Sequence, residues 1–428
     1  MSKLKTLEKL FSQRKISRRE FIARLSALGL ATAVSPALMG STVRAATPKK
    51  GGRLRIACTG GSTSDSLDPG KLTSQYNQVL NFQLRNFLVE IDHASNAIPE
   101  LAESWEASPD AARWTFKIRK GVEFHNGKTL DASDVVYTIN HHRGEESKSG
   151  AKGLLDPVQD IKTDGKDTVM FTLKGGNADF PYVLADYHLT IFPDGTKGPE
   201  FEKGIGTGGY LLKSWEPGVD SLSTRNPNYW KPNRANFDEV HMLSIVDTNA
   251  RANALKTGQI DVMDRPDLKT IHLFKKHKNI QLISKTSGSH STIPMLFNVQ
   301  PYDNNDVRLG LKYALDREEQ VKKILRGYGS VGNDHPIGPN IKFHAAELPQ
   351  RTYDPDKAKY HIKKAGLLDH TFQLHSADGA FAGAVDAALL FQESAAKAGI
   401  KIQVVKEPSD GYWSNVWMKK PWSMSYWS

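Results

Sequence analysis

Hydrophobic and polar positions alternate in short blocks along most of this chain, and the period of the alternation changes from block to block. After a turn at Lys49-Lys50-Gly51-Gly52, the run Arg53-Leu54-Arg55-Ile56-Ala57-Cys58 reads as a strand with Cys58 buried in it. A Gly/Ser-rich loop follows from Thr59 to Ser66 and leads to Asp68-Pro69. Between Gln75 and Glu90, Val79, Leu80, Phe82, Leu84, Phe87 and Leu88 recur at helix-like spacing, which predicts one helix over 75–90. Trp114-Thr115-Phe116-Lys117-Ile118-Arg119 alternates strictly, as a half-buried strand does, and turns at Lys120-Gly121 into Val122-Glu123-Phe124. Asp131 or Ser133 can then cap a helix carrying Val135, Val136 and Ile139.

The second half alternates helix and strand more regularly. Val307, Leu311 and Ala314 share one helical face between Asp306 and Leu315, and Asp316 with Glu319 three residues on forms a capping-box arrangement for a further helix ending at Arg326-Gly327. Ala384 to Ala398 is a third helical pattern; Gly399 stops it, and Ile400 to Val405 reads as the next strand. The last residues, Pro421 to Ser428, alternate like a strand and stop without a turn or polar tail, which suggests a fragment of a longer protein. Strands and helices mixed over two halves imply an α/β or α+β protein with at least two lobes, and no internal repeat is visible.

Charge changes the picture only at the N-terminus. The chain of 428 residues carries a formal +10. Nine of its 57 Lys/Arg but only two of its 47 Asp/Glu fall in residues 1 to 45, leaving 48 bases against 45 acids in the body. That balance lacks the basic footprint of a phosphate-backbone binder, so nucleic acid is set aside as a partner. The first 45 residues instead read as an export signal. A basic region reaches Arg19, a 15-residue apolar stretch runs from Leu25 to Met39, and Val43-Arg44-Ala45 precedes a cut at Ala45/Ala46. The stretch is short for a membrane span, which needs about 20 residues. Ser17-Arg18-Arg19-Glu20-Phe21-Ile22 resembles the twin-arginine signal, which implies the twin-arginine export machinery as a partner and the periplasm as destination. The single cysteine, Cys58, can form neither an internal disulfide nor a Cys-x-x-Cys site.

Candidate chemistry is sparse. Gly204-Ile205-Gly206-Thr207-Gly208-Gly209 matches G-x-G-x-x-G, but no apolar strand precedes it, and Pro217-Gly218 follows within eight residues of Tyr210; a tight structural turn is the reading. No G-x-S-x-G, Walker loop or H-E-x-x-H occurs, so neither catalytic residues nor metal ligands nor a cofactor are assigned. His141-His142, with His93 and His125 upstream, have the wrong helical spacing for a metal and read as a solvated helix end. Tyr412, Trp413, Trp417, Trp422, Tyr426 and Trp427 hold four of the eight tryptophans; most are expected in the core, but alternate members of a strand could clamp a ligand.

Five stretches then resemble solute-binding protein family 5, the peptide, nickel and related binding components of ABC importers. They are Lys50 to Ile56 with Leu67-Asp68-Pro69; Pro99 to Trp105 with Trp114 to Gly127 and Asp134-Val135-Val136; Gly206 to Tyr210 with Asn226-Pro227-Asn228-Tyr229-Trp230; Phe297-Asn298; and Asp306-Val307-Arg308 with Tyr313 to Arg317. The resemblance implies an α/β two-lobed periplasmic binding protein fold, type II, cluster C, with an extra subdomain in the first lobe. It divides the chain into the signal (1–45), lobe I (46–75 and 196–290), an inserted subdomain (76–195) and an incomplete lobe II (291–428). It also implies a monomer that clamps a small-molecule or peptide ligand between its lobes and docks on an inner-membrane ABC permease, with no covalent chemistry. Ligand contacts are expected at Ser62, Asp65, Asn298 and Trp427. The acidic residue that pairs the ligand terminus in some members would fall after Ser428. Chelated nickel or another small solute is the alternative ligand; an exported hydrolase or a periplasmic chaperone is the alternative from another class.

Overall fold

In the computed structural model, which describes residues 49–428 apart from 286, 340, 342 and 428, the strand predicted at the start of the body forms at Arg53–Cys58. The export signal and its twin arginines lie outside the described residues. Arg53–Cys58 runs parallel to Glu239–Ser244 on one side and to Val262–Met263 on the other. Asp220–Arg225 and Tyr210–Glu216 add antiparallel strands to complete a five-stranded sheet. This mixed sheet therefore joins segments nearly 200 residues apart in sequence. Beneath it Cys58, Leu67, Tyr76, Leu80, Leu84, Val240 and Met242 form a sheet core.

The helix expected over 75–90 ends earlier, at Leu84, with Ser74 as its N-cap. Arg85 leaves it in an extended conformation because its buried guanidinium is spent elsewhere: on Leu67 O at 2.9 Å, Asn81 Oδ1 at 2.8 Å and Ile205 O at 3.2 Å. The apolar run beyond it belongs to a different element, since Leu88 enters another core and Val89–Ile91 is a strand.

That other core fills a four-stranded antiparallel body ordered Ala102–Ala107, Arg113–Ile118, Thr168–Leu173, Val158–Thr163. The alternation of 114–119 is realised directly: Trp114, Phe116 and Ile118 are buried and Phe116 meets Phe171 edge-on at 5.5 Å. Asp131, rather than Ser133, caps the Ala132–His141 helix, in a complete capping box with Asp134. His142, expected at a solvated helix end, is instead fully buried, with Nδ1 2.7 Å from Ser149 Oγ; His141 pairs with Asp68 at 2.7 Å. The aromatic residues Phe192 and Phe201 close over this helix end, which is why it is dry.

A C-terminal core unites Val307, Leu311 and Ala314 of the Asn305–Ala314 helix with Ala358 and Ile362 of Pro355–Lys364, the face of Ala384–Ala396, and Trp422 and Met424. Thr371–Ser376 and Lys401–Lys406 pair in parallel across the Ala384–Ala396 helix, the right sequence order for a crossover unit. Asp316 accepts from Glu319 N at 3.0 Å, but Glu319 turns to Lys323 at 3.0 Å instead of closing the box, and only Arg317–Glu319 is α-helical before a π turn at Gln320–Ile324. Ser425–Trp427 pairs antiparallel with His290–Thr292.

Candidate functional site

Parallel strands send their connecting loops out from the same, carboxyl-terminal edge of a sheet, and a crevice forms there. Arg53–Cys58 and Val262–Met263 are such neighbours, so the Thr59–Ser66 loop and the Asp264-Arg265 pair emerge side by side; Thr59 N donates to Asp264 Oδ1 at 3.2 Å. Gly61 passes so close to Ser244, at the end of the third parallel strand, that a Cβ would sit within 2.7 Å of the serine's own Cβ. The loop is thereby pinned to the sheet edge.

Within it Ser62 and Asp65 form a turn. Asp65 N donates to Ser62 O and Ser62 N donates to Asp65 Oδ2, both at 3.0 Å, while Ser74 Oγ reaches the same carboxylate oxygen at 3.2 Å. Burial pushes the Asp65 carboxyl up to about 6 despite these hydrogen bonds. Facing the turn from the C-terminal core is Asp410, just before the one-turn helix Tyr412–Asn415. Ser62 Oγ donates to its Oδ1 at 2.8 Å, Thr63 N to the same atom at 3.1 Å and Thr63 Oγ1 to Oδ2 at 3.1 Å. Ser64 and Ser414 hydroxyls meet at 3.1 Å. These bonds, with Ser62 first, hold the Asp410 carboxyl below its ordinary range.

A second bridge lies beside the first. Arg265 sends Nη2 to Gln75 Oε1 at 2.8 Å and stacks its guanidinium 3.9 Å over the ring of Tyr426. The Tyr426 hydroxyl meets Ser289 Oγ at 3.0 Å. Neighbouring residues of a strand face opposite ways, and Trp427 accordingly turns to Trp417, 5.4 Å away and edge-on, which in turn meets Trp413 at 6.1 Å. Trp427 is 39% exposed and Asn298 lies exposed in the loop before the Asn305–Ala314 helix.

Of the four residues expected to meet ligand, Ser62 and Asp65 thus share one turn and Trp427 lies in the strand whose Tyr426 meets Arg265, whereas among the described residues no hydrogen bond, ion pair or ring contact joins Asn298 to the other three. Sequence reasoning passed over Asp410 and Arg265. Each sits in a turn-rich tetrad, Pro408-Ser409-Asp410-Gly411 and Asp264-Arg265-Pro266-Asp267, and an acid or an arginine isolated in such a turn was the available signal. The G-x-G-x-x-G segment cradles protein, not phosphate: Gly208 N donates to Leu84 O at 2.9 Å, and His125 N to Gly206 O at 2.9 Å. Among the described residues no group of three or more His, Cys, Asp or Glu is gathered to hold a metal, and no helix is long and apolar enough to cross a membrane.

Comparisons agree on one family. The model of bacterial extracellular solute-binding proteins, family 5 middle, matches residues 96–428. The di/tripeptide-binding protein 1 of Pseudomonas aeruginosa is 26% identical over 372 residues, covering 79% of this chain and 68% of its own. The glutathione-binding protein GsiB of Escherichia coli K12 is 28% identical over 385 residues, covering 89% and 72%. Among solved structures, periplasmic DppA of Helicobacter pylori with the peptide STSA superposes at a TM-score of 0.78 with 24% identity, over 89% of this chain and 78% of that one. NikZ of Campylobacter jejuni with Ni(L-His) does so at 0.77 with 21% identity, over 88% and 77%. The likeness in fold bears out the two-lobed α/β binding-protein architecture, and the chain belongs to the bacterial extracellular solute-binding proteins of family 5.

Proposed function

We propose that this protein is the capture component of an ABC importer, closing its two lobes on a short peptide or peptide-like solute in the periplasm and presenting it to a membrane permease. The observation that carries the reading is the meeting, at the carboxyl edge of the parallel strands, of Ser62, Thr63 and Arg265 with Asp410 and Tyr426 from the C-terminal core. Two bodies held together by polar groups at their rims, rather than by a shared apolar core, can part and re-close around a guest. The relatives named for di/tripeptides and for glutathione favour a peptide over a metal chelate.

In this reading lobe I comprises 46–75 and 196–290, the inserted subdomain 76–195, and lobe II 291–428. Ser62, Asp65, Asn298 and Trp427 face the ligand, with Trp417 and Trp413 extending an aromatic wall. Family members are solute-binding proteins, and no covalent step belongs to the proposal. The twin-arginine segment at 17–22 delivers the folded protein across the membrane, where it acts as a monomer.

A thermal-shift panel of di- and tripeptides, glutathione, sugars, and nickel with and without histidine tests this. A ligand at 100 times its Kd stabilises the native state by about 2.7 kcal/mol. Stabilisation confined to peptides supports the reading. A response to nickel-histidine or sugars alone overturns the solute class.

A further inference from the structure

Arg265 is placed in a way its local sequence does not favour. Its φ is 43°, in the left-handed region that a non-glycine residue adopts only at a cost, and Pro266 follows it, which further restricts the backbone of the preceding residue. Strain of this kind persists where the surroundings over-determine it. Here Arg251 Nη2 reaches the Arg265 carbonyl at 3.3 Å, Gln75 takes one guanidinium hydrogen at 2.8 Å and the Tyr426 ring covers its face at 3.9 Å.

A guanidinium offers five N–H donors. Among the described residues only Nη2 of Arg265 makes a hydrogen bond; Nε stands 4.0 Å from Asp264 Oδ2, beyond bonding reach, and Nη1 donates to nothing. Its side chain is nevertheless only 20% exposed. A part-buried cation with most donors unspent is costly unless something else takes them. Local charge points the same way. Asp264 is also the ion-pair partner of the buried Arg251, whose Nε is 3.7 Å from Oδ1, so two guanidinium groups share that carboxylate. An arginine fork with free parallel donors and an aromatic backing matches a carboxylate, which it can bind bidentately.

We propose that Arg265 is the specificity-determining residue for a carboxylate on the ligand, the guanidinium holding that group at the lobe boundary while Tyr426 from the other lobe backs the fork. The inference rests on the peptide-capture reading above and narrows it to solutes bearing a free carboxylate, whether a peptide C-terminus or an acidic side chain. Because the same guanidinium touches both lobes, ligand charge and lobe closure are linked through one residue.

The test is titration calorimetry on the full chain with three probes: trialanine, trialanine amide and Ala-Glu-Ala amide. Wild type is expected to bind trialanine at least about tenfold more tightly than its amide, the worth of one charge-assisted pair. Arg265→Gln is expected to erase that preference, the acid-to-amide affinity ratio falling to about one whatever the absolute affinities, and Arg265→Lys, which keeps the charge without the fork, to retain only part of it. Tight binding of Ala-Glu-Ala amide would assign the carboxylate to a side chain; weak binding, with trialanine tight, assigns it to the terminus. Equal binding of acid and amide by wild type, or an undiminished preference in both variants, overturns the inference and leaves peptide capture standing. Binding of none of the three overturns peptide capture and the inference with it.

Discussion

The Ser62 hydroxyl donates to the Asp410 carboxylate across 2.8 Å, tying the edge of the five-stranded sheet to the start of the Tyr412–Asn415 helix 348 positions later in the chain. Two further donors, Thr63 N and Thr63 Oγ1, converge on the same carboxylate. One acidic side chain near the C-terminal core therefore gathers a whole turn at the sheet edge. Asp410 is largely solvated, so its worth is discounted to about 1 kcal/mol of closure.

Asp410→Ala is expected to weaken ligand capture about fivefold, because the closed population falls by that factor. Scattering should report a larger radius of gyration for the unliganded variant, with unchanged circular dichroism. The carboxyl is held below its ordinary range, so the wild-type contact persists above the ordinary value and is lost only as pH falls through the depressed one. Unchanged affinity and radius in the variant would separate this contact from closure.

Asp65 behaves in the opposite sense. Burial pushes its carboxyl up to about 6, so between its ordinary 3.8 and about 6 the native state keeps a proton that the unfolded chain has released. Stability then declines as pH rises through that window and is level above it, by at most about 3 kcal/mol. Asp65→Asn should abolish this component. Denaturant titrations at intervals from pH 4 to 7 measure it as the difference between variant and wild type, which is expected to grow in favour of the variant as pH rises; a constant difference would refute the assignment.

Local periodicity made much of this fold readable because the elements concerned solve their burial problem over a few residues. Trp114, Phe116 and Ile118 had to share a face, and Gly399 had to stop a helix, whatever lay around them. The misreadings arose where long-range contacts outvote the local pattern. Phe87 and Leu88 continue a helical spacing yet follow Arg85, whose side chain is claimed by Leu67 and Ile205. His142 looks polar and terminal but is covered by Phe192. Half of the candidate site was equally hidden: Ser62 stood out in a Gly/Ser loop, whereas Asp410 and Arg265 acquire meaning only from partners far away in sequence.

His142 supplies a second pH dependence. Burial, reinforced by His141 and His188, lowers its imidazole to about 3, so the native state keeps it neutral while the unfolded chain takes up a proton below about 6.5. Its contribution is therefore intact above that pH and lost as pH falls toward 3, at about 1.4 kcal/mol per pH unit. His142→Gln, able to keep a bond to Ser149, should flatten the acid limb of the stability curve. An equally steep limb in the variant would show that other groups govern it.

The glycine segment gives the sharpest contrast between a motif and its use. A nucleotide-binding loop leaves its backbone free for phosphate, whereas here the segment is packed on the end of the Gln75–Leu84 helix. A Cβ at Gly206 would lie 3.0 Å from Arg85 Cα and closer still to Leu84 O, backbone atoms with little room to yield. Gly206→Ala should therefore cost about 1–3 kcal/mol, lowering Tm by several degrees. Gly175→Ala is the matched control, because a Cβ there meets nothing within 4 Å and the backbone is not left-handed. It should leave Tm within about a degree of wild type, since an exposed substitution away from special features changes stability by roughly 0.5 kcal/mol or less. Equal melting of the two variants would mean that the loop can lift off the helix, and that the Arg85 network, not the close approach of Gly206, sets the position of the turn.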